Sequence, residues 1–175
     1  MKLKNIILNA LASVGMVLLI LPMCLDLFTL TVKVGERASD PVGFKIFTDW
    51  TDYVNTYKLL NKEFASVWAT LVGVLAIVLL VLSVAYVVFF VLQALKVGKL
   101  NYRAINQILS ICILVLTVVA LVFGIIFMAA NSFSIGSTKT SNEFGFGVGL
   151  IMLLVGGLLT GVFGLIANKK AKSKK

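Results

Sequence analysis

The chain contains no histidine, which removes the commonest general base and the commonest neutral metal ligand. Charge is scarce as well. Only 13% of the 175 residues are Asp, Glu, Lys or Arg, against about 25% in soluble domains. Two cysteines, Cys24 and Cys112, are too few for a disulfide scaffold. Both fall inside apolar runs, at depths that differ by about 15 Å at helical rise, so they cannot bond to each other and read as inert buried thiols. There is no G-x-S-x-G, no phosphate-gripping glycine loop, no H-E-x-x-H and no cluster of metal-ligand side chains. Asn55-Thr56-Tyr57 and Asn131-Ser132-Phe133 both miss the N-x-Ser/Thr pattern. These absences lead us to expect no enzyme, no catalytic residues, no metal and no cofactor. They name no ligand-binding residue.

What is present is apolar. Hydrophobic residues make up 60% of the chain and the mean hydropathy is +1.06. A water-soluble fold of this length cannot hide so much apolar surface in one core. The surplus is gathered in four blocks, about Asn5–Asp26, Phe64–Leu95, Ala104–Ala130 and Phe144–Ala167. Roughly 20 helical residues cross a hydrocarbon core of about 30 Å, and these blocks lack the alternation of barrel strands. The second block is too long to cross upright and should tilt or project. The fold class expected is therefore an all-α membrane protein: one domain over 1–175, a bundle of four transmembrane helices.

Charge gives the orientation. One side of the membrane receives Lys2, Lys4, Lys96, Lys99, Arg103, Lys169, Lys170, Lys172, Lys174 and Lys175, and no acidic side chain. The other receives Lys33, Arg37, Lys45, Lys58, Lys62 and Lys139 together with every acid of the chain: Asp26, Glu36, Asp40, Asp49, Asp52, Glu63 and Glu143. Basic flanks stay in the cytoplasm, which places both termini, the loop 96–103 and the tail 168–175 inside, and the segments 27–63 and 131–143 outside. A formal charge of +9 can also signal nucleic acid, but here the cations are divided among short span-flanking segments, so no nucleic-acid partner is expected. The first block begins with basic residues as a signal peptide does. Its apolar stretch is longer than a signal core and no small-x-small site follows, so it reads as an uncleaved span.

The outer segment 27–63 carries two patterns. Phe28–Val34 is β-branched and alternating, Gly35–Pro41 is rich in turn residues, and Val42–Phe47 can return as a second strand. Asn131–Ile135 also alternates, so a small outer hairpin or sheet of two or three strands is expected. Tyr53, Tyr57, Leu60, Phe64 and Trp68 then recur at helical spacing, with Asp49 or Thr51 as a cap, which predicts a short amphipathic helix leading into the second span. Trp50, Tyr53, Tyr57 and Leu60 form a candidate outer interaction face. Packing on the sheet or resting among headgroups is the favoured reading of the same stripe.

Within the spans the polar residues are few. Asp26 is an interfacial acid or, on a sharper reading, an ion-binding group. Asn9 with Asn106 or Gln107 can form a polar cluster near the cytoplasmic boundary, read as glue between helices. The fourth block holds Gly145, Gly149, Gly156, Gly157, Gly161 and Gly164, with Thr160 on the same face as Gly149, Gly156 and Gly164. Helices in lipid associate through close packing, which small residues permit, so this set is the expected helix-packing surface. It can pack within the chain, or against a second copy or a membrane-protein partner.

The layout of inner terminus, span, large outer segment, span, short basic loop, span, short outer loop, span and basic tail loosely resembles that of claudin-like tetraspan proteins. In those proteins the larger outer loop builds a small sheet. The family's tryptophan motif followed by two loop cysteines has no counterpart here: Trp50 stands alone and neither cysteine lies in the loop. The lack of a catalytic constellation and the scatter of polar residues over the spans lead us to expect a non-catalytic accessory, scaffold or adhesion-like protein of the plasma membrane. A subunit of a small oligomeric channel or transporter is the alternative.

Overall fold

A computed structural model describes residues 3–34, 36–45, 48–49, 63–97, 100–131, 133–135 and 140–169. The elements run α1 (Leu3–Leu18), a single 3-10 turn (Leu21–Met23), β1 (Phe28–Val34), β2 (Arg37–Ala38), β3 (Val42–Phe44), α2 (Glu63–Ala94), α3 (Tyr102–Asn131), β4 (Phe133–Ile135), β5 (Thr140–Phe146) and α4 (Val148–Asn168). Among the described residues four stretches are long and apolar enough to cross a membrane: Leu3–Met23, Val67–Ala94, Tyr102–Ala130 and Val148–Asn168. The protein is mostly helical, and its four long apolar helices fit a membrane bundle carrying a small sheet.

The helices pack side by side in the order α1–α4–α3–α2. The last helix in sequence is therefore interior: 44% of its span is buried, against 22–28% for the other three. The outer faces are covered with exposed apolar side chains, among them Val81, Ile108 and Val115, each more than half exposed. Such a surface suits lipid and is costly in water. Cys24 and Cys112 are free thiols on this outer surface, not buried as expected.

Pro22 explains why the first helix stops short of Asp26. Its ring cannot continue the α-helical ladder, and the chain tightens into the 3-10 turn with proline at its start. α2 ends differently. Lys96 takes a left-handed conformation (φ 56°), with Val97 N–H bonded to Leu92 O at 3.1 Å and Lys96 N–H to Gln93 O at 3.3 Å. This is the Schellman arrangement, with lysine where glycine is usual.

The sheet corrects the sequence reading most. Among the described residues it has five strands, not two or three, in the order β2-β1-β5-β4, with β3 also on β1. The expected hairpin is present, pairing Phe28 with Phe44 and Leu30 with Val42. The other edge of β1 is paired over its whole length with β5, from Phe28↔Phe146 to Val34↔Thr140. β4 adds to β5, Phe133 opposite Asn142. The fourth span therefore begins at Val148 and not Phe144, and Gly145 lies on a strand opposite Thr29. Gly145 and Gly149 consequently do not form one helical G-x-x-x-G.

Strand alternation turns Phe28, Leu30, Phe144 and Phe146 to one face and Thr29, Thr31, Lys33, Ser141 and Glu143 to the other. The apolar face lies on the end of the bundle. Phe28 and Phe127 rings are 4.3 Å apart at their centroids, Phe127 and Phe144 5.3 Å, and Leu27, Ala69, Val72 and Leu150 complete this core. A second core of Leu19, Leu79, Ile113 and Leu153 fills the middle of the bundle.

Candidate functional site

Two assemblies use polar groups in ways that packing alone does not require. The first is a layer inside the bundle, toward the end away from the sheet. Asn9 of α1, Tyr86 of α2 and Asn168 of α4 are each no more than 1% exposed. Tyr86 Oη donates to Asn9 Oδ1. Asn168 Nδ2 donates to Gly164 O at 2.8 Å and, at 3.3 Å each, to Asn9 Oδ1 and Tyr86 Oη. Asn9 Nδ2 returns to its own helix at Asn5 O, 2.7 Å away.

Asn106 belongs to the same layer by register. A β-carbon at Gly157 would strike Thr117, one at Gly161 would strike Leu114, and one at Gly164 would strike Ser110. Continuing that antiparallel register along α3 places Asn106 level with Asn168. Each helix thus contributes one buried polar side chain. Asn106 is fully buried, and neither its Oδ1 nor its Nδ2 has a hydrogen-bond partner.

The sequence reading joined Asn9 to Asn106 or Gln107. The structure joins it to Tyr86 and Asn168. Tyr86 passed as one aromatic in an apolar run, and Asn168 was assigned to the basic tail. One signal was available: Asn168 stands four residues after Gly164, on the face of the glycines. Just beyond the layer, Arg103 donates from Nε to Asn168 O at 3.0 Å and from Nη2 to Lys169 O. It caps carbonyls that the last turn of α4 leaves open, where a cation is also favoured by the helix dipole.

The glycines of α4 make this closeness possible. A β-carbon at Gly156 would lie 2.7 Å from Gly15 O, and one at Gly15 would lie 2.6 Å from Gly156 O. Beside that backbone contact Thr160 Oγ1 donates to Ala12 O at 3.1 Å. Gly149 and Gly156 with Thr160 serve the α1 side, whereas Gly157, Gly161 and Gly164 serve α3 and α2. All of these contacts are within the chain.

The second assembly is the sheet and its joint to the bundle. Asp26 sits there, not inside a span. Its carboxylate lies where a β-carbon of Gly43 would be, and its carbonyl accepts the Gly149 N–H at 2.8 Å. The Leu27 carbonyl accepts Gly147 N–H at 2.9 Å, so chain leaving the first span satisfies donors at the start of α4. On the polar face Lys33 and Glu143 pair at 2.7 Å, both well exposed. Asp49 accepts the Lys45 N–H at 3.3 Å, and hydrogen bonds from Thr48 and Lys45 hold its carboxyl below the ordinary value. The candidate face Trp50, Tyr53, Tyr57 and Leu60 lies outside the described residues, whereas the last positions of the predicted stripe, Phe64 and Trp68, belong to α2.

Among the described residues no group of three His, Cys, Asp or Glu side chains gathers at metal-binding range. An apolar groove lined by Leu114, Val115, Val118 and Val119 opens on the outer side of α3. No family model, curated protein or solved structure matches the chain.

Proposed function

We propose that the chain is a non-catalytic tetraspan membrane protein that acts as an accessory, scaffold or adhesion-like interaction protein. It sits in the plasma membrane with both termini cytoplasmic and presents its sheet outside. One observation carries this reading: the buried polar side chains Asn9 of α1, Tyr86 of α2 and Asn168 of α4 are turned on one another. Asn9, Tyr86 and Asn168 share hydrogen bonds among themselves, and the next layer is filled by Leu19, Leu79, Ile113 and Leu153. Groups used in this way hold helices together and line no path for a solute. The hydrophilic face of Thr29, Thr31, Lys33, Ser141 and Glu143, by contrast, turns away from the bundle and offers a surface to another protein.

The test is purification of the full chain in mild detergent with identification of proteins that remain bound. A partner retained by the wild type and released by Thr31→Lys with Glu143→Lys, while melting is unchanged, supports the proposal. Ion flux through liposomes containing the pure chain, with no such partner, replaces it with the oligomeric-channel alternative.

A further inference from the structure

We propose that the basic end of the bundle binds the headgroups of anionic phospholipids. The antiparallel helices bring Lys4, Lys96, Arg103 and Lys169 to one end. The sequence adds Lys170, Lys172, Lys174 and Lys175 directly after Lys169. No acidic side chain occurs in 1–25, in 64–142 or in 144–175, so these cations have no carboxylate partner in the segments around them.

Helix termini use only part of this charge. Arg103 is committed to the carbonyls of Asn168 and Lys169, which fixes the root of the lysine run beside the start of α3. Lys96 and Lys169 are exposed. Tyr102 and Phe89 stack at this same end with centroids 6.1 Å apart, and aromatic rings favour the headgroup level. Lys96 and Lys169 therefore leave their helices at the end where this tyrosine suits the headgroup layer.

Lys96 is the more telling residue. Its left-handed backbone is one that glycine adopts freely and a lysine does not. The local conformation asks for glycine, and the chain supplies a cation. Lysine ammonium groups are compact point charges on flexible stems, suited to phosphate oxygens that offer no fixed geometry. A run of them next to a span attracts anionic lipid, each worth about fivefold in association near a charged surface.

The experiment uses the full chain in vesicles of phosphatidylcholine containing either spin-labelled phosphatidylglycerol or spin-labelled phosphatidylcholine. The wild type should hold the anionic probe at least about fivefold more strongly, and molar salt should bring the two probes to parity. Replacing Lys169, Lys170, Lys172, Lys174 and Lys175 by Gln should remove most of the preference. Lys96→Gly supplies an independent reading, because relaxing the backbone raises the melting temperature in pure phosphatidylcholine while the anionic preference falls. Equal binding of the two probes by the wild type overturns the proposal. So does a preference left intact in the five-fold Gln variant. Stronger retention of an oligonucleotide than of phosphatidylglycerol overturns it in favour of a nucleic-acid partner.

Discussion

Gly156 and Gly157 are neighbours in sequence, but substituting them should have unequal consequences. In Gly156→Ala the new methyl lies 2.7 Å from Gly15 O, 3.0 Å from Leu19 Cγ and 3.2 Å from Leu18 Cβ, where ordinary contact begins near 3.4 Å. The nearest atom is backbone, so α1 itself must retreat by several tenths of an ångström. Overpacking of this kind costs about 1–3 kcal/mol, and a rigid neighbour puts it in the upper part of that range. The retreat also lengthens the Thr160–Ala12 bond, worth about 1 kcal/mol. Alanine returns about 1 kcal/mol of helix propensity. The net loss is about 2–3 kcal/mol, or roughly 5–10 °C in melting temperature for a chain of this size. In Gly157→Ala the methyl meets only the Thr117 side chain, overlapping Oγ1 and lying 2.9 Å from Cγ2 and 3.1 Å from Cβ. Turning Thr117 away costs about 0.5–1.5 kcal/mol and gives up the Oγ1 bond to Ile113 O at 2.7 Å, worth about 1 kcal/mol, of which the propensity gain returns about 1 kcal/mol. The net loss of about 0.5–1.5 kcal/mol should lower melting by roughly 1–6 °C, less than in Gly156→Ala. Thr117→Ala should rescue any loss in Gly157→Ala and none in Gly156→Ala. Thermal scans in mild detergent by circular dichroism decide the matter, and the bulkier Gly156→Leu and Gly157→Leu probe the same two seams. If Gly156→Ala melts like the wild type, or the order of the two variants reverses, the backbone contact between α1 and α4 is not what holds them.

Tyr86→Phe should lower stability by about 1 kcal/mol because it removes a hydroxyl that both Asn9 and Asn168 use, whereas Asn106→Leu should leave melting unchanged or raise it, since it removes an unpartnered amide. Cysteines introduced at Ser173 and Ser39 should react with an impermeant reagent from opposite sides of the membrane; labelling from one side alone contradicts the orientation. Backbone amides of β1 should exchange slowly, because β1 is paired along both edges, and random-coil rates there would refute the ladder. The Asp49 carboxyl should titrate below its ordinary 3.8, so its contribution is complete above that value and is lost as pH falls through the lowered pKa; its carboxyl carbon shift in NMR reports this.

The spans were readable because lipid imposes one requirement on every residue of a crossing helix, and runs such as Val67–Ala94 satisfy it without interruption. β1 was readable from the alternation of Phe28–Val34. β5 was not. Its last residues, Phe144, Gly145 and Phe146, adjoin the apolar span with only Gly147 between, so hydropathy runs straight through from strand to helix. The partner of β1 lies more than a hundred residues away, and nothing local marks that pairing. The polar layer was half readable. Asn9 and Asn106 are conspicuous in apolar helices, but which of them bonds to what depends on helix order, and α4 lies between α1 and α3. The glycines announced a packing surface without saying that it has two sides.

That interior position of α4 also fixes the register of the whole molecule. α1 followed by β1, and β5 followed by α4, form two antiparallel arms that pair strand to strand and helix to helix. At the helical level Gly15 meets Gly156, Ala12 meets Thr160 and Asn9 meets Asn168. In the sheet the ladder runs from Phe28↔Phe146 to Val34↔Thr140. Slipping a helix by one turn moves it about 5.4 Å, whereas restoring a strand's facing requires a slip of two residues, about 6.8 Å. The two repeats do not coincide. Only Gly147 separates β5 from α4, and the bonds from Gly147 N–H to Leu27 O and from Gly149 N–H to Asp26 O tie that junction to the other arm. A slip that satisfied the glycine seam would therefore break the ladder, and one that satisfied the ladder would shift α4 by about four and a half residues and turn its small-residue seam about a quarter turn away from α1. The exposed sheet is held in place by the packing of the bundle, and the polar layer at the far end is part of the same lock.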